Sequence, residues 1–255
     1  VRLFALAVIV AAASRLLAGL EDADVRDPGS AGPYSIGHTS FVVVDSTRNT
    51  ASPFGGRPVA VSVWYPVDPL AVDGDSPEAV YPLDPVYNLW PSSTSAEWEQ
   101  FGMQRAYENV PVSADAPFPL VLVSPGWGGP YYTLFFYAER LASHGFVVAV
   151  VQHFKDGALP WDTRDPLDVS LLNRPRDLTF ILDALLERNG DSSSILYRGI
   201  EPDRVAASGH SLGGYAALAL AGGVEQMCGS HEDPLPSDCV SLGETAPDPR
   251  LKAIV

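Results

Sequence analysis

The sequence predicts an α/β fold in which a mostly parallel central sheet carries helices on both faces. After Pro119, buried-type apolar strands alternate with helices that have one apolar face, and this alternation is typical of parallel βαβ units. Before it, residues 41–45 and 59–65 read as two opening strands of antiparallel character. The 255 residues, 46% of them hydrophobic, are enough for one sizeable domain of this class.

Each element of the parallel part has a local signal. Strands are expected at 120–124, 146–152 and 205–208, and residues 251–255 read as the start of the next core strand. A helix is expected over 132–144, ending at Gly145. A second helix is expected to have Pro175 near its start and Gly190 just past its end. Its apolar face is formed by Leu178, Ile181, Leu182, Leu185 and Leu186.

The stretch 66–118 is irregular and too long for a plain connection, so we interpret it as a possible cleft-covering insertion. It contains one expected helix, capped by Ser95 and running from Ala96 towards Tyr107. Its aromatic side chains could line a cleft or pack the insertion onto the domain. They are Tyr81, Tyr87, Trp90, Trp98, Phe101 and Tyr107.

The net charge indicates which binding partners to expect, and the amino-terminal segment indicates where the protein is located. The net charge of -15 argues against nucleic acid or an anionic membrane as a partner. Residues 1–19 resemble a secretory signal: Arg2, an apolar run over 3–13, and small residues at 11–13 as a cleavage site. A membrane anchor is the alternative, but Arg15 interrupts the run well short of the ~20 residues that a spanning helix needs. We therefore expect a secreted or periplasmic protein without stable membrane insertion.

Two cysteines, Cys228 and Cys239, lie in a loop rich in Gly and Pro. In an exported protein such a pair predicts a disulfide. Metal binding together with His231 is the alternative, but two thiols and one imidazole fall short of a four-ligand zinc site. We expect no metal.

The most informative motif is the run 209–214, Gly-His-Ser-Leu-Gly-Gly, with Ser211 at its centre. It follows a predicted strand and precedes a strong helix former, which is the context of a nucleophile elbow. Gly209 and Gly213 leave room for so sharp a turn. The alternative is a Gly-rich helix start with an incidental serine.

A serine that attacks a carbonyl needs N–H donors for the developing oxyanion. One donor is expected from Leu212, directly after the nucleophile, and the other from Trp127, in the loop that follows strand 120–124. Gly126 and Gly128 would let this loop approach a substrate closely. An ordinary Gly-rich turn is the alternative.

Together these motifs resemble the platelet-activating-factor acetylhydrolase and dienelactone-hydrolase-like branch of the α/β-hydrolases. The resemblance implies a cofactor-free serine hydrolase of ester bonds, with Ser211 as nucleophile and Trp127 and Leu212 as oxyanion donors. In one departure, Pro125 stands where relatives often carry His. The segments that carry the resemblance are 32–34, 57–59, 63–66, 119–121, 141–148, 174–177 and 209–214.

The partners of the serine are expected elsewhere in the chain. In these hydrolases the order is Ser, then Asp or Glu, then His, and His231 is the only histidine after Ser211. The resemblance puts the acid at or beyond the strand at 251–255 and the base further on, so both are expected past Val255. The hydrolase domain, residues 20–255, is thus expected to be truncated after that strand and to have little activity alone.

The histidines within the sequence are weaker candidates for the catalytic base. His153, at the end of strand 146–152, is expected to line the cleft and is the best substitute base. His210, next to the nucleophile, is expected to fill space beside the cleft, since neighbouring side chains point apart at a sharp elbow.

Two functions remain open. The first is a secreted serine esterase that acts on small, lipid or polymeric esters, and the second is a hydrolase-like binding protein without activity. The oligomeric state is left open.

Overall fold

The computed structural model describes residues 29–48, 52–81, 92–100, 102–129, 131–155, 164–223, 226–227, 240–241 and 247–255. The chain divides into a short unit, Val1–Ser30, and a larger unit, Ala31–Val255. All elements below belong to the larger unit. The predicted signal segment at 1–19 lies outside the described residues.

The strands are numbered in chain order. They are β1 (Ser35–Asp45), β2 (Arg57–Val67), β3 (Val80–Tyr81), β4 (Ser93–Thr94), β5 (Ala106–Glu108), β6 (Phe118–Ser124), β7 (Val147–Gln152), β8 (Ile200–Gly209), β9 (Gln226–Met227), β10 (Val240–Ser241) and β11 (Leu251–Ile254). The helices are α1 (Ser95–Glu99), α2 (Phe135–Ser143), α3 (Leu167–Gly190) and α4 (Leu212–Leu220), with 3-10 turns at Pro69–Ala71 and Tyr131–Leu134. In the part of the chain that the structure describes, no helix is both long and apolar enough to span a bilayer.

A seven-stranded sheet in the order β11-β8-β6-β7-β2-β1-β5 organises the fold. The strands β11, β8, β6 and β7 run parallel to one another, whereas β7–β2 and β2–β1 are antiparallel pairs. The predicted α/β fold class, with its antiparallel opening, is therefore confirmed. The carboxyl ends of β6, β7 and β8 meet at one edge, where ligands bind in open sheets of this class.

Helices cover both faces of the sheet. Alternate residues of β2, such as Val59, Val61 and Val63, pack in one buried cluster with α3 and α4. Trp64 of the same strand faces the other way and packs with Phe135 of α2. This alternation follows from the period of two in a strand.

Strand β8 is longer than the predicted 205–208. Ile200 pairs with Phe118 and Val205 with Leu120, so the register shifts across the exposed residues between them. The sequence break at Pro202 is thus a bulge within a strand and not its boundary, as bulges accommodate Pro.

Helix α3 begins at Leu167, eight residues before the predicted start near Pro175. Pro175 lies inside the helix, although it removes one main-chain hydrogen bond there. The early turns are kept because Ser170, Leu171 and Arg174 are buried against the domain. Tertiary contacts therefore override the local signal.

The helix expected from Ala96 to Tyr107 is also wrong in extent. It ends at Glu99, Gly102 adopts a positive φ of 79°, and β5 follows. Its N-cap is Thr94, whose N–H donates to the Glu97 carboxylate at 2.8 Å, and not Ser95. The stretch instead contains short strands and one short helix.

Two aromatic residues of this stretch that the structure describes pack onto the domain. Tyr81 is fully buried and contacts Trp64 and Phe135, and Trp98 contacts Phe135. Tyr87, Trp90 and Phe101 lie outside the described residues, and the cleft-covering role of 66–118 stays a prediction.

Candidate active site

Ser211 occupies the sharp turn between β8 and α4. Its φ of 54° and ψ of -119° lie in a region that non-Gly residues rarely adopt, and its side chain is exposed. Such strain persists only where the surroundings enforce it, and it concentrates at functional sites. The strand, the turn and the helix have the geometry of a nucleophile elbow.

The two glycines around Ser211 are required by close backbone packing. A Cβ on Gly209 would overlap the backbone of Gly213, and a Cβ on Gly213 would overlap the Ser124 carbonyl group. The first turn of α4 therefore lies directly against the end of β6. The elbow and the loop after β6 are held as one unit, and the His210 N–H donates to the Ser124 carbonyl at 3.2 Å.

We call residues 124–129 the oxyanion loop. A Cβ built on Gly126 would lie 3.7 Å from the Ser211 Cβ and 3.0 Å from the His210 Nδ1. The structure thus brings Gly126, Ser211 and the exposed His210 together at the edge of the sheet. A side chain at Gly126 would contact the exposed His210 ring, which would have to shift by a few tenths of an ångström.

The two predicted donors belong to this surface. Among the described residues, the main-chain N–H groups of Trp127 and Leu212 have no protein acceptor. Leu212 is the first residue of α4, and a helix N-terminus favours a negative charge. Their use as oxyanion donors stays a prediction.

Arg164 covers the outer side of the oxyanion loop. Its guanidinium carbon lies 4.8 Å from the centre of the Trp127 ring, a cation–π contact. A side chain on Gly128 would collide with this guanidinium, and Gly128 has a φ of 66° that favours glycine. Arg164 was not predicted from the sequence.

The structure places His153 beneath the loop and not in the cleft. Its side chain is 1% exposed; Nε2 lies 2.9 Å from the Ser124 Oγ and Nδ1 lies 2.8 Å from the Asp177 carboxylate. These contacts resemble a Ser-His-Asp triad, yet Ser124 is fully buried and no substrate can reach it. His153 therefore supports the loop from inside.

Asp177 anchors this buried network. It accepts hydrogen bonds from Arg57 at 2.9 Å to each carboxylate oxygen, and Arg48 forms an ion pair with it at 2.7 Å. Burial alone would raise the pKa of Asp177, but the charge of Arg57 and the hydrogen bonds from His153 and Arg57, with Arg48, lower it well below its usual range. The carboxylate is ionised throughout the physiological pH range.

Arg174 connects the network to the oxyanion loop. Its guanidinium is 1% exposed, donates to the Pro125 and Gly126 carbonyl groups, and lies 3.3 Å from the Ser124 Oγ. Arg57, Arg174 and Asp177 lie in segments that carry the family resemblance, but the sequence assigned them no role. Arg174 and Asp177 are spaced i, i+3 on one helix, which was the available signal that they share a face.

Several predicted residues lie outside the described part of the chain. They include Cys228, Cys239 and His231, and the acid and base expected past Val255. The disulfide and the triad therefore stay predictions. Next to the cysteines, the structure describes only Met227 and Val240 as register partners in the antiparallel pair β9–β10.

Comparison with known proteins gives consistent matches. A family model described as PETase, PET hydrolase-like, matches residues 91–227. Cutinase est2 of Thermobifida alba and cutinase cut1 of Thermobifida fusca are each 37% identical over 101 residues. That stretch is 40% of this chain and 29% and 27% of those proteins, so the match spans less than a third of each relative's length.

A solved structure also matches, the ferulic acid esterase from Streptomyces cinnamoneus. It is 26% identical with a TM-score of 0.48, and the alignment covers 72% of this chain and 54% of that chain. The family matched is PET hydrolase-like, and the predicted closeness to the platelet-activating-factor acetylhydrolase branch stays a prediction.

Proposed function

Because the chain belongs to the PET hydrolase-like family of α/β-hydrolase serine esterases, we propose that it is a secreted hydrolase that cleaves carboxylic esters through an acyl-enzyme on Ser211. The observation that carries the proposal is the exposed, left-handed Ser211 between β8 and α4, next to Gly126 of the oxyanion loop. No other serine among the described residues has a positive φ.

The reaction assigns a task to each part of this surface. The Ser211 Oγ bonds to the ester carbonyl carbon while its proton passes to a base, and the carbonyl π electrons move to oxygen. The oxyanion accepts hydrogen bonds from the N–H groups of Trp127 and Leu212. Collapse breaks the bond to the alcohol, which leaves with the proton, and water then attacks the acyl-Ser211 ester in the same way to release the acid.

The substrate we propose is a polymeric or lipid ester. The match to a PET hydrolase-like family and to proteins named cutinases supports this class over small soluble esters. Hydrolysis of a polyester film and of a triglyceride emulsion, compared with a soluble short-chain ester, tests the choice. Turnover restricted to the soluble ester would contradict it.

Labelling with a fluorophosphonate tests the activity itself, because only an activated serine reacts. We expect the full-length protein to be labelled at Ser211, as located by peptide mass mapping. Ser211→Ala should fall to the background of heat-denatured protein, whereas Ser193→Ala, at an exposed serine, should be labelled at the parental rate. An unlabelled parent protein would instead support the non-catalytic binding function.

A further inference from the structure

Arg174 holds the oxyanion loop by its main chain. Its two terminal nitrogens donate to successive carbonyl groups, those of Pro125 and Gly126, the latter at 3.0 Å. The Gly126 carbonyl also accepts from the Gly129 N–H at 3.1 Å. Since Arg174 is almost fully buried, these carbonyl groups point inward, away from the cleft.

The direction of one carbonyl fixes the direction of the next N–H. The bond between Gly126 and Trp127 is a trans peptide, so its C=O and N–H lie in one plane and point in opposite directions. When Arg174 holds the Gly126 carbonyl inward, the Trp127 N–H points the opposite way, away from Arg174. A hydrogen bond from a cation to that carbonyl also polarises the same peptide and strengthens its N–H as a donor.

Arg174 is itself held in place by the buried network. The Ser124 Oγ lies between Arg174 at 3.3 Å and the His153 Nε2 at 2.9 Å. The His153 Nδ1 faces the ionised Asp177, so it carries a proton that it donates there; in the neutral imidazole, Nε2 then accepts from the Ser124 hydroxyl. Ser124 then turns its lone pairs to Arg174.

We propose that Arg174 is a positioning residue that sets the Trp127 N–H as an oxyanion donor, and that Asp177 and His153 hold it through Ser124. The proposal rests on the proposed function, since this N–H matters only if an oxyanion forms at Ser211. Arg174, His153 and Asp177 thus affect catalysis although they are buried and no substrate can touch them.

Kinetics of Arg174→Met and Arg174→Lys test the proposal in the full-length protein. Removing one oxyanion donor typically lowers kcat by about 10² to 10³, so we expect a loss of that order for Arg174→Met with KM nearly unchanged. Arg174→Lys keeps the charge but has no planar fork, and its loss should be intermediate. Arg188→Met is the matched control, because Arg188 lies on the same helix and stacks on Phe41.

A thionoester substrate separates positioning from a general structural effect. Sulfur accepts hydrogen bonds poorly, so the rate ratio between an ester and its thiono analogue reports on the oxyanion donors. The ratio should fall in the Arg174 variants by the same factor as kcat for the ester. A structural defect would slow both substrates equally and overturn the proposal.

A crystal structure of Arg174→Lys, and of Arg174→Met if it folds, gives a reading independent of activity. We expect the Gly126–Trp127 peptide to rotate relative to the parent. If the parent protein reacts with the fluorophosphonate but neither the peptide nor the thiono ratio changes in the variants, the positioning role is wrong while the proposed function stands. If the parent protein does not react, the proposed function fails first.

Discussion

Two buried carboxylates on opposite faces of the sheet meet opposite surroundings. Asp177 on α3 lies beneath the oxyanion loop and is bonded to Arg57, Arg48 and His153. Glu139 on α2 lies among aromatic rings, where it accepts from the Tyr81 hydroxyl and from the Gln104 N–H at 2.9 Å. No cation is hydrogen-bonded to Glu139 among the described residues.

The difference appears in their titration. The pKa of Asp177 is lowered, whereas burial raises the pKa of Glu139 to about 7 despite its two hydrogen bonds. Neutral donors do not replace the hydration of a buried charge, but guanidinium groups compensate for it. Asp177, beneath the oxyanion loop, therefore keeps its negative charge near neutral pH, whereas Glu139, among the aromatic rings, gains or loses its proton there.

The largest effect is expected from Asp177→Asn. This change leaves the buried Arg57 and the partly buried Arg48 without their shared carboxylate, and breaking a buried ion pair costs about 3 to 5 kcal/mol. Urea unfolding at pH 7 measures the loss. Asp183→Asn, on the same helix at a 59% exposed side chain paired with Arg250, should cost less than about 1 kcal/mol. Equal losses in the two variants would contradict the comparison.

Glu139 should make stability depend on pH in the opposite direction to Asp177. Its pKa is about 7 in the folded protein against 4.5 for an ordinary glutamate, so the unfolded chain releases this proton first. The contribution to the free energy of unfolding falls as the pH rises from about 4.5 to about 7, by about 3 kcal/mol in total. Asp177 contributes no slope there, because its stabilisation is lost only when the pH falls through its lowered pKa.

The measurement is the change in unfolding free energy between pH 5 and pH 8, compared between the parent protein and Glu139→Gln. The part of the parent protein's loss of unfolding free energy that is due to Glu139 should be mostly absent in Glu139→Gln. An identical pH dependence in both proteins would show that Glu139 does not titrate in this interval.

The smallest effect is expected from Tyr81→Phe. Its hydroxyl donates to Glu139, and hydrogen bonds to charged groups contribute about 1.5 to 3 kcal/mol. We expect a loss of about 2 kcal/mol at pH 8 and a smaller one at pH 5, where Glu139 is protonated. Tyr65→Phe is the control, because that hydroxyl donates to the neutral Val110 carbonyl at 2.9 Å; its cost should not vary with pH.

The elbow could be predicted from sequence because its requirements are local. A turn from strand to helix at Ser211 needs small residues within two positions on either side, and Gly209 and Gly213 stand there. The overall order of strands and helices was predictable for a similar reason, because the spacing of apolar residues within each segment indicates a helix or a strand. The end of α1, the start of α3 and the length of β8 were not. Gly102 and strand β5, the burial of Arg174 and a bulge at Pro202, respectively, decided them.

The network beneath the loop could not be predicted because it joins distant positions. Arg57 and Asp177 are 120 residues apart, and Ser124 and Arg174 are 50 apart. His153 was expected in the cleft because it ends a strand at the ligand edge. Its side chain instead lies on the face of the sheet that carries Ala149 and Val151, where it contacts Asp177 of α3 and is buried.

The sequence by itself determined the fold class, the sharp strand-to-helix turn at Ser211 and the glycines that the turn requires, since each depends on local pattern and on backbone sterics. Only the tertiary structure decided that Arg174 turns the Gly126 carbonyl inward and that Asp177 stays ionised beneath it. These features depend on which side chains the sheet register and the helix packing bring together in the buried interior, where each charged group is held by hydrogen bonds to its neighbours.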